Sequence, residues 1–485
     1  MWAASVTESV TSKSRKLTLG PLTALVVGSM IGGGIFSIPQ NTAASAGAGA
    51  TILAWAITGL GMLALAFVFV NLTLRKRGLD SGVYAYARAA FGPYLGFSSA
   101  WGYWFMAVLG NVGYYVLLFS TLGHYAPLFG DGNTPTAVVC ASALLWGMHA
   151  LVLRGIKEAA FINQLTTVAK LVPLLLFVVL IALAFQPAVF TQDIWGSSTP
   201  GLGSVADQVR GMMLVTAWVF VGVEGASVYS ARAAKRSQVG AATLLGFLFT
   251  LTLMVAVSLL SLGVMSQPEL AGLKNPSMAH VLAHVVGPWG AAMISLGLLI
   301  SLSGALLSWL LLSCETLYMA ARDGAAPHWL AKENAHGVPV NAMWLTSGCV
   351  QIFLLITLLS SSTYLSLVNL GTSMILLPYT WAALYGLLLA WRGEGYRAAD
   401  RLLRQRDVII ASLAVLYALW LLYAGGMKYL LLSALLYLPG ALLYAWTRKN
   451  EGAALFTRGE WPVFFLVLAA AAVAGWGLRQ GWLHL

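Results

Sequence analysis

Two glycine-containing interruptions stand out within long apolar stretches of this sequence. The first is Gly28-Ser29-Met30-Ile31-Gly32-Gly33-Gly34-Ile35-Phe36, and the second is Val219-Phe220-Val221-Gly222-Val223-Glu224-Gly225-Ala226-Ser227. A helix that breaks exposes backbone N–H groups where one half begins and carbonyl groups where the other half ends. The N–H groups favour a carboxylate, and the carbonyls favour an ammonium group. Two such breaks together could bind the two charged groups of an α-amino acid.

The residue types at the breaks assign these two roles. Free N–H groups are expected near Gly32–Gly34, where glycine lets a ligand approach the backbone closely. Free carbonyls are expected at Met30 and at Trp218–Val221. The alternative is that the glycines only allow close helix packing. Two breaks at corresponding positions favour a binding site over packing alone.

The composition defines the class of protein that carries these breaks. The chain has 485 residues, of which 59% are hydrophobic and 9% are charged, whereas a soluble protein has about 25% charged residues. The formal net charge of +11 is spread over short loops rather than clustered, which argues against nucleic-acid binding. The three cysteines fall inside apolar runs and do not indicate a disulfide framework. The sequence therefore predicts an all-α, multi-pass membrane protein.

The apolar runs predict about thirteen transmembrane helices. Their approximate bounds are 21–44, 48–74, 94–126, 135–153, 158–185, 206–231, 237–266, 287–320, 340–360, 363–391, 407–427, 429–447 and 461–480. Residues 1–20 form a predicted cytoplasmic tail with no cleaved signal peptide. Residues 21–391, spans 1–10, form a predicted transporter core. Residues 392–485, spans 11–13, form predicted accessory helices.

The distribution of Lys and Arg predicts the orientation of these spans. With the N-terminus in the cytoplasm, 22 of the 27 basic residues lie in cytoplasmic segments. Four basic residues lie outside and one, Lys170, lies within a span. In this register span 1 runs outwards and span 6 runs inwards, so the two breaks point in opposite directions. Opposed breaks predict two inverted halves, spans 1–5 and 6–10, of the kind that builds transporters.

Several longer strings resemble a known family. The chain is similar to the amino acid–polyamine–organocation transporters, in particular to bacterial arginine/ornithine antiporters of the basic amino acid/polyamine branch. The strings that carry this resemblance are Val26–Gln40, Gly82–Ala87, Gly96–Trp104 and Leu153–Asn163. The resemblance implies a core of five plus five inverted helices with broken helices 1 and 6.

The resemblance also implies roles for individual residues. Gly33 and Gly34 correspond to amides that bind the substrate carboxylate, and Met30, Trp218 and Val221 to carbonyls that bind its amine. Trp309 corresponds to an aromatic ring that stacks on a cationic side chain, and Asn111 to a side-chain contact. Gly371 stands where the family has a serine, with Thr372 beside it, so the fit at the far end of the substrate differs. The implied outer gate consists of Tyr103, Glu224 and Tyr379.

Two further charged residues lie inside predicted spans. Lys170 in span 5 is expected either to take part in coupling or to extend towards the cytoplasm. Glu315, read as a buried acid in span 8, is expected to lie on the cytoplasmic pathway or to pair with Lys170. His280 and His284 are spaced for a metal but have no third ligand nearby, so no metal site is predicted.

These expectations combine into a membrane antiporter that takes in arginine and releases ornithine by alternating access. The predicted location is a bacterial inner membrane, the partners are small-molecule substrates and lipid, and a homodimer is a candidate assembly. No nucleotide-binding or hydrolytic motif is present, so no cofactor, ATP hydrolysis or enzymatic activity is expected. The alternatives are a proton-coupled symporter in which Lys170 titrates, and exchange of lysine, histidine/histamine or arginine/agmatine. A channel or a membrane enzyme is the alternative from another class.

Overall fold

The computed structural model describes residues 18–76, 79, 82–155, 159–224, 235, 237–359 and 364–483. Several sequence predictions lie outside these residues: most of the N-terminal tail, the end of the second interruption (Gly225–Ser227), part of the string Leu153–Asn163, and the basic residues Arg77, Lys157, Arg232 and Arg236. Over the described ranges the regular structure is helical, with an isolated β-bridge between Glu333 and Pro339.

The helices of the first half of the chain are α1 (Leu19–Met30), α2 (Ile38–Ala43), α3 (Ala48–Arg75), α4 (Gly82–Phe91), α5 (Pro93–Gly123), α6 (Pro135–Leu153), α7 (Ala159–Leu183), α8 (Pro187–Thr191) and α9 (Val205–Trp218). Those of the second half are α10 (Ser237–Ser261), α11 (Gln267–Ala271), α12 (Ser277–Val286), α13 (Pro288–Arg322), α14 (Val340–Leu359), α15 (Tyr364–Arg392), α16 (Arg401–Ala424), α17 (Gly426–Asn450) and α18 (Glu460–Gln480).

Long apolar helices dominate the described part of the chain. Nine of its helical segments are long and apolar enough to cross a membrane, or ten if the bent pair α1 and α2 forms one span. The predicted bounds 48–74 and 363–391 agree with α3 and α15 to within a residue. Around Lys428 the prediction was less accurate, because the turn lies at Gly425 and Lys428 is already inside α17. The chain is a multi-pass helical membrane protein.

Helix α5 forms the centre of the bundle. Nearly every residue from Tyr94 to Phe119 is buried, and α5 packs against α4, α13 and α15. The two broken segments pack elsewhere: α1 lies against α10 and α7, and α9 against α3 and α15. Long, continuous helices therefore surround the region where the two interruptions lie.

The first interruption separates two helical segments that together are long and apolar enough to form one membrane span. Helix α1 ends at Met30, and the chain continues through a short 3-10 turn, Gly34–Ser37, into α2 at an angle of 46° to α1. The Ile31 N–H still donates to the Val27 carbonyl at 2.9 Å, so the α-helical pattern stops just beyond it. The prediction of a break at the glycine run is confirmed.

The second interruption ends a helix, and it contacts the first interruption. Helix α9 ends at Trp218, and residues 219–224 follow as turns. Gly222 has φ +103°, a conformation that L-residues with a side chain rarely adopt. The Ser29 hydroxyl donates to the Gly222 carbonyl at 2.9 Å. The two breaks are thus hydrogen-bonded to each other.

The last helix is tied to the core at one buried carboxylate. Glu460, at the start of α18, accepts the Tyr94 N–H of α5 at 2.8 Å and the Thr457 N–H at 2.7 Å. Both N–H groups stand near helix N-termini, where a negative charge is favoured. An accessory helix is in this way fixed to the central helix of the bundle.

Gly222→Ala tests whether the second break depends on its backbone conformation. A Cβ at Gly222 would lie 2.6 Å from the Ser29 carbonyl oxygen, in addition to the strain of a positive φ. We expect the variant to lose at least about 1–2 kcal/mol of stability, measured as thermal unfolding of the purified protein. Gly240→Ala is the matched control, because its Cβ would meet only Val70 Cγ1 at 3.5 Å within α10. Equal unfolding temperatures for both variants and the wild type would contradict this account.

Candidate functional site

A small cavity lies where the two breaks face α5 and α13. It is lined by Ser29, Met30, Gly32, Gly34, Ile35, Met106, Ala107, Gly110, Tyr114, Trp218, Val219, Val221 and Trp309. Five of the residues chosen from the sequence, Met30, Gly34, Trp218, Val221 and Trp309, are among them. The cavity volume is about 20 Å³, which is room for roughly one water molecule. The site is closed in this conformation.

The Trp218 indole fills the centre of the site. A methyl group added to Gly34 would lie 3.2 Å from Trp218 Cδ1, one on Gly110 3.0 Å from Cη2, and one on Gly371 3.2 Å from Cζ3. Three glycines from three different segments therefore make room for this ring. Gly371, predicted as a substrate contact, packs against Trp218 here.

Tyr114 of α5 covers the glycine run of the first break. A Cβ on Gly32 would lie 2.3 Å from the Tyr114 hydroxyl oxygen, and the Gly33 N–H is a hydrogen-bond partner of that hydroxyl. Gly33 is also crowded by Leu302, whose Cδ2 lies 2.7 Å from the position of an added Cβ. A phenol oxygen thus stands at the amides expected to bind a carboxylate.

The carbonyls at the helix ends keep hydrogen-bonding capacity. The Met30 carbonyl accepts the Gly32 N–H at 3.1 Å, and the Trp218 carbonyl accepts the Val221 N–H at 3.0 Å. Each carbonyl oxygen has two lone pairs, so each can accept a second donor. An ammonium group in the cavity would supply such donors.

A buried carboxylate lies beside the second break. Glu224 is 4% exposed. Its Oε1 accepts the Tyr103 hydroxyl at 2.8 Å, and its Oε2 accepts the Tyr379 hydroxyl at 2.7 Å and the Gly222 N–H at 3.2 Å. The structure therefore brings together the three residues of the predicted gate. We call Tyr103, Glu224 and Tyr379 the Glu224 cluster.

The Glu224 cluster lies on the other side of the cavity from the one expected. Tyr103 precedes Gly110 by seven residues on α5, and Tyr379 follows Gly371 by eight on α15, so both lie about 10–12 Å from the Trp218 ring along their helices. In each case the direction is towards the ends that carry Arg75, Lys76 and Arg392. In the predicted orientation these are cytoplasmic ends, which places the cluster on the inner side of the cavity and does not fit the expected outer gate.

Trp309 connects the cavity with the Glu224 cluster. Its half-buried ring lines the cavity, and its centroid lies 6.4 Å from that of Tyr103. An aromatic face at this position could receive a cationic side chain. The nearby carboxylate of Glu224 would favour the same charge.

The opposite end of the cavity is covered by the segment that contains α11 and α12. The Gln40 N–H of α2 donates to the Ser277 hydroxyl at 3.1 Å, and the Asn275 amide donates to the Gln40 side-chain oxygen at 3.2 Å. The Ser120 hydroxyl of α5 donates to the Asn275 carbonyl at 2.6 Å. These bonds hold the segment against both α2 and α5, so the site is covered at both ends.

Lys170 of α7 is bonded to the first break. Its ammonium group donates to the Gly28 carbonyl at 3.3 Å and to the Ile31 carbonyl, and the residue is 2% exposed. From the sequence, Lys170 was expected either to take part in coupling or to extend towards the cytoplasm. The structure does not show the extension towards the cytoplasm. Lys170 instead satisfies carbonyls that the broken helix leaves free.

Three other predicted residues do not face the cavity. The Asn111 amide donates to the Ala107 carbonyl at 2.9 Å, and the Thr372 hydroxyl contacts the carbonyls of Val368 and Leu214 at 2.7 and 3.2 Å. Glu315, read as a buried acid, is exposed on α13. The error arose because an apolar sequence around a charge does not tell which side of the helix is covered.

Sequence reasoning missed several lining residues, notably Ser29, Met106, Gly110 and Tyr114. Gly110 and Gly113 give α5 small residues near Asn111, a signal for a close approach by another group. For Tyr114 no signal existed, because it is one tyrosine among 18.

No metal centre is found in the part of the chain that the structure describes, since no three His, Cys, Asp or Glu side chains come together there. His280 lies next to His124, with ring centroids 5.2 Å apart. The chemistry of the site is therefore that of backbone groups, aromatic rings and one carboxylate.

Comparison with known proteins identifies the family of the chain. The family model described as amino acid permease matches residues 17–429. The chain is 61% identical to an arginine/ornithine antiporter of Pseudomonas aeruginosa, covering 97% of this chain and 99% of that protein. It is 45% identical to an L-lysine transport protein of Corynebacterium glutamicum (99% and 98%) and 41% identical to an arginine/agmatine antiporter of Chlamydia caviae (93% and 94%). The chain belongs to the amino acid permease family.

Proposed function

We propose that this chain is a membrane antiporter that exchanges cationic amino acids, with arginine entering and ornithine leaving. The observation that carries the proposal is the pair of helix breaks that contact each other through Ser29 and Gly222 beside a shared cavity. The named activity of the Pseudomonas aeruginosa relative, 61% identical over nearly the full length, supports this choice of substrates.

In the proposed complex the substrate backbone binds the breaks. Its carboxylate accepts the N–H groups of Gly33 and Gly34, and its amine donates to the carbonyls of Met30, Trp218 and Val221. Because the closed cavity has a volume of about 20 Å³, the Trp218 indole must move to admit a substrate.

The side chain of the substrate accounts for the preference for cations. Once the Trp218 indole has moved, the substrate side chain lies against the Trp309 ring and reaches towards Asn111, Gly371 and Thr372, which do not face the closed cavity. A desolvated cation–π contact is worth about 2 kcal/mol, and the Glu224 carboxylate adds a favourable potential. A neutral side chain gains neither.

The proposed architecture has about thirteen spans in two inverted halves. Residues 1–20 form a cytoplasmic tail, 21–391 the transporter core with spans 1–10, and 392–485 the accessory helices. The excess of Lys and Arg at one end supports a cytoplasmic N-terminus in a bacterial inner membrane. A homodimer is the proposed assembly.

Alternating access would open one covered end at a time. Opening towards the basic loops separates Tyr103 and Tyr379 from Glu224, and opening towards the other side releases the α11–α12 segment from α2 and α5. The protein exchanges substrates, rather than carrying out net uptake, if its binding site switches slowly between the two sides of the membrane when no substrate is bound. For two monovalent cations, the exchange moves no net charge, and it needs neither ATP nor a cofactor.

A lysine carrier is the second candidate. It is supported by the L-lysine transport protein that is 45% identical over 99% of this chain. The closed cavity does not distinguish an ammonium tail from a guanidinium, since both can lie on Trp309.

Counterflow in proteoliposomes tests the proposal. Vesicles loaded with ornithine should take up labelled arginine, with less uptake of lysine, histidine and agmatine, and empty vesicles should take up none. Net uptake by empty vesicles under an imposed proton gradient would instead indicate a proton-coupled symporter with Lys170 titrating. Absence of arginine uptake in loaded vesicles would overturn the arginine/ornithine assignment.

Glu224→Gln tests the Glu224 cluster. A glutamine has one acceptor oxygen for donors that now share two carboxylate oxygens, and it removes the negative charge. We expect arginine exchange to fall by roughly tenfold, the loss of a hydrogen bond to a charged group, with an unchanged elution profile of the purified protein. Glu451→Gln is the control, because this carboxylate lies far along the chain near the start of the last connecting loop, 3.4 Å from His328 Nε2. An unaltered exchange rate in Glu224→Gln would contradict a gating role.

Tyr114→Phe tests whether its hydroxyl contacts the substrate carboxylate. A carboxylate bound at Gly33 and Gly34 would lie next to this hydroxyl, so its removal should weaken arginine binding by about tenfold. Agmatine has no carboxylate, and its affinity should stay unchanged. Tyr115→Phe is the matched control, since its hydroxyl contacts the Met148 sulfur at 3.7 Å. Equal effects on arginine and agmatine would show that the hydroxyl acts only in packing.

A further inference from the structure

A second pocket, separate from the site between the breaks, lies near the end of the molecule that carries the basic loops. It is formed by the end of α3, the end of α15 and the beginning of α16, and its volume is about 510 Å³. Its walls include Asn71, Arg75, Gly395, Arg406 and Asp407. The function proposed above does not use this pocket.

The polar wall of the pocket has more positive than negative charge. Asp407 is 6% exposed. It accepts Arg406 Nη2 at 2.9 Å, the Tyr396 hydroxyl at 2.9 Å and Arg75 Nη2 at 3.4 Å. One carboxylate cannot neutralise two guanidinium groups, so the lining keeps a net charge of about +1.

The two arginines differ in how firmly they are held. Arg75 donates to Asn71 Oδ1 at 2.6 Å and to the Gly395 carbonyl at 3.0 Å, and its guanidinium lies 3.4 Å from the Tyr396 ring centroid. Arg406 is 63% exposed on its side chain, and its Nε and Nη2 both donate to Asp407 Oδ1. Arg406 can therefore offer further N–H groups to a ligand without losing its position.

The remaining walls of the pocket are apolar. They are formed by Phe67, Val68, Val70, Leu74, Leu403 and Ile410. On the adjoining surface of α16, Leu402 and Ile409 are exposed by 82% and 63%. A membrane protein exposes such side chains to lipid. A ligand with both an anionic group and an apolar part would match the two kinds of wall, whereas a free inorganic anion would match only one.

The pocket also lies at the level expected for lipid headgroups. Arg75 ends a 28-residue helix that is otherwise free of charged residues, and Arg401, Arg404 and Arg406 lie near the start of α16. Basic pockets between transmembrane helices at the cytoplasmic side are suited to anionic lipid headgroups. The positive charge, the apolar walls and this position point to the same class of ligand.

We propose that this pocket binds an anionic phospholipid, with its phosphate at Arg406 and its glycerol and acyl part against Leu74, Leu403 and Ile410. The phosphate supplies the second negative charge that Arg75 and Arg406 lack. Because α3 and α16 both line the pocket, the bound lipid holds these two helices together and stabilises the folded protein.

Thermal unfolding of the purified full-length protein in detergent tests the proposal. Phosphatidylglycerol should raise the unfolding temperature in a saturable manner, whereas phosphatidylcholine and inorganic phosphate should not. Arg406→Gln should raise the half-saturating phosphatidylglycerol concentration about fivefold, the effect of one basic residue at a membrane surface. Ile410→Trp, which fills part of the pocket without altering charge, should also weaken the response.

Arg401→Gln is the matched control, because it removes an exposed positive charge from the same helix outside the lining. An equal loss of response in Arg401→Gln and Arg406→Gln would indicate unspecific attraction to the lipid and overturn the site. So would an unchanged response in both Arg406→Gln and Ile410→Trp, or a stabilisation by inorganic phosphate alone. None of these measurements depends on transport, so the result is independent of the proposed exchange activity.

Discussion

The structure depends on how two broken helices satisfy their backbone groups away from water. Hydrocarbon offers no hydrogen-bond partners, and an unpaired backbone group there costs several kcal/mol. At the first break Lys170 donates to the carbonyls of Gly28 and Ile31, and Ser29 donates to Gly222 of the second break. The two breaks therefore stabilise each other. The groups that still have capacity, such as the Met30 and Trp218 carbonyls, face the small cavity between them.

The closed cavity follows from the packing of one large ring against small residues. Gly34, Gly110 and Gly371 leave a space that the Trp218 indole fills, and Tyr114 covers Gly32. Any larger side chain at these glycines would displace the ring. A site built in this way is closed by one side chain that packs against the long helices α5 and α15.

The sequence predicted the elements better than their mutual arrangement. The bounds of α3 and α15 and both interruptions were anticipated, because apolar length and glycine runs act locally. The meeting of Tyr103, Glu224 and Tyr379 was anticipated only because the family resemblance implied it. The side of the cavity on which Glu224 lies and the exposure of Glu315 were not anticipated, because they depend on the depth and rotation of each helix. Those are set by packing against neighbours, which a single sequence does not contain.

One peptide unit connects the breaks with the Glu224 cluster. The Gly222 carbonyl accepts the Ser29 hydroxyl at 2.9 Å, and the Gly222 N–H donates to Glu224 Oε2 at 3.2 Å, which in turn accepts the Tyr379 hydroxyl at 2.7 Å. Coupling between sites is carried by contiguous contacts that have alternative arrangements. A displacement of Gly222 would alter its bond to Ser29 and its bond to Glu224 together. The proposed substrate site and the Glu224 cluster are therefore connected through adjacent atoms.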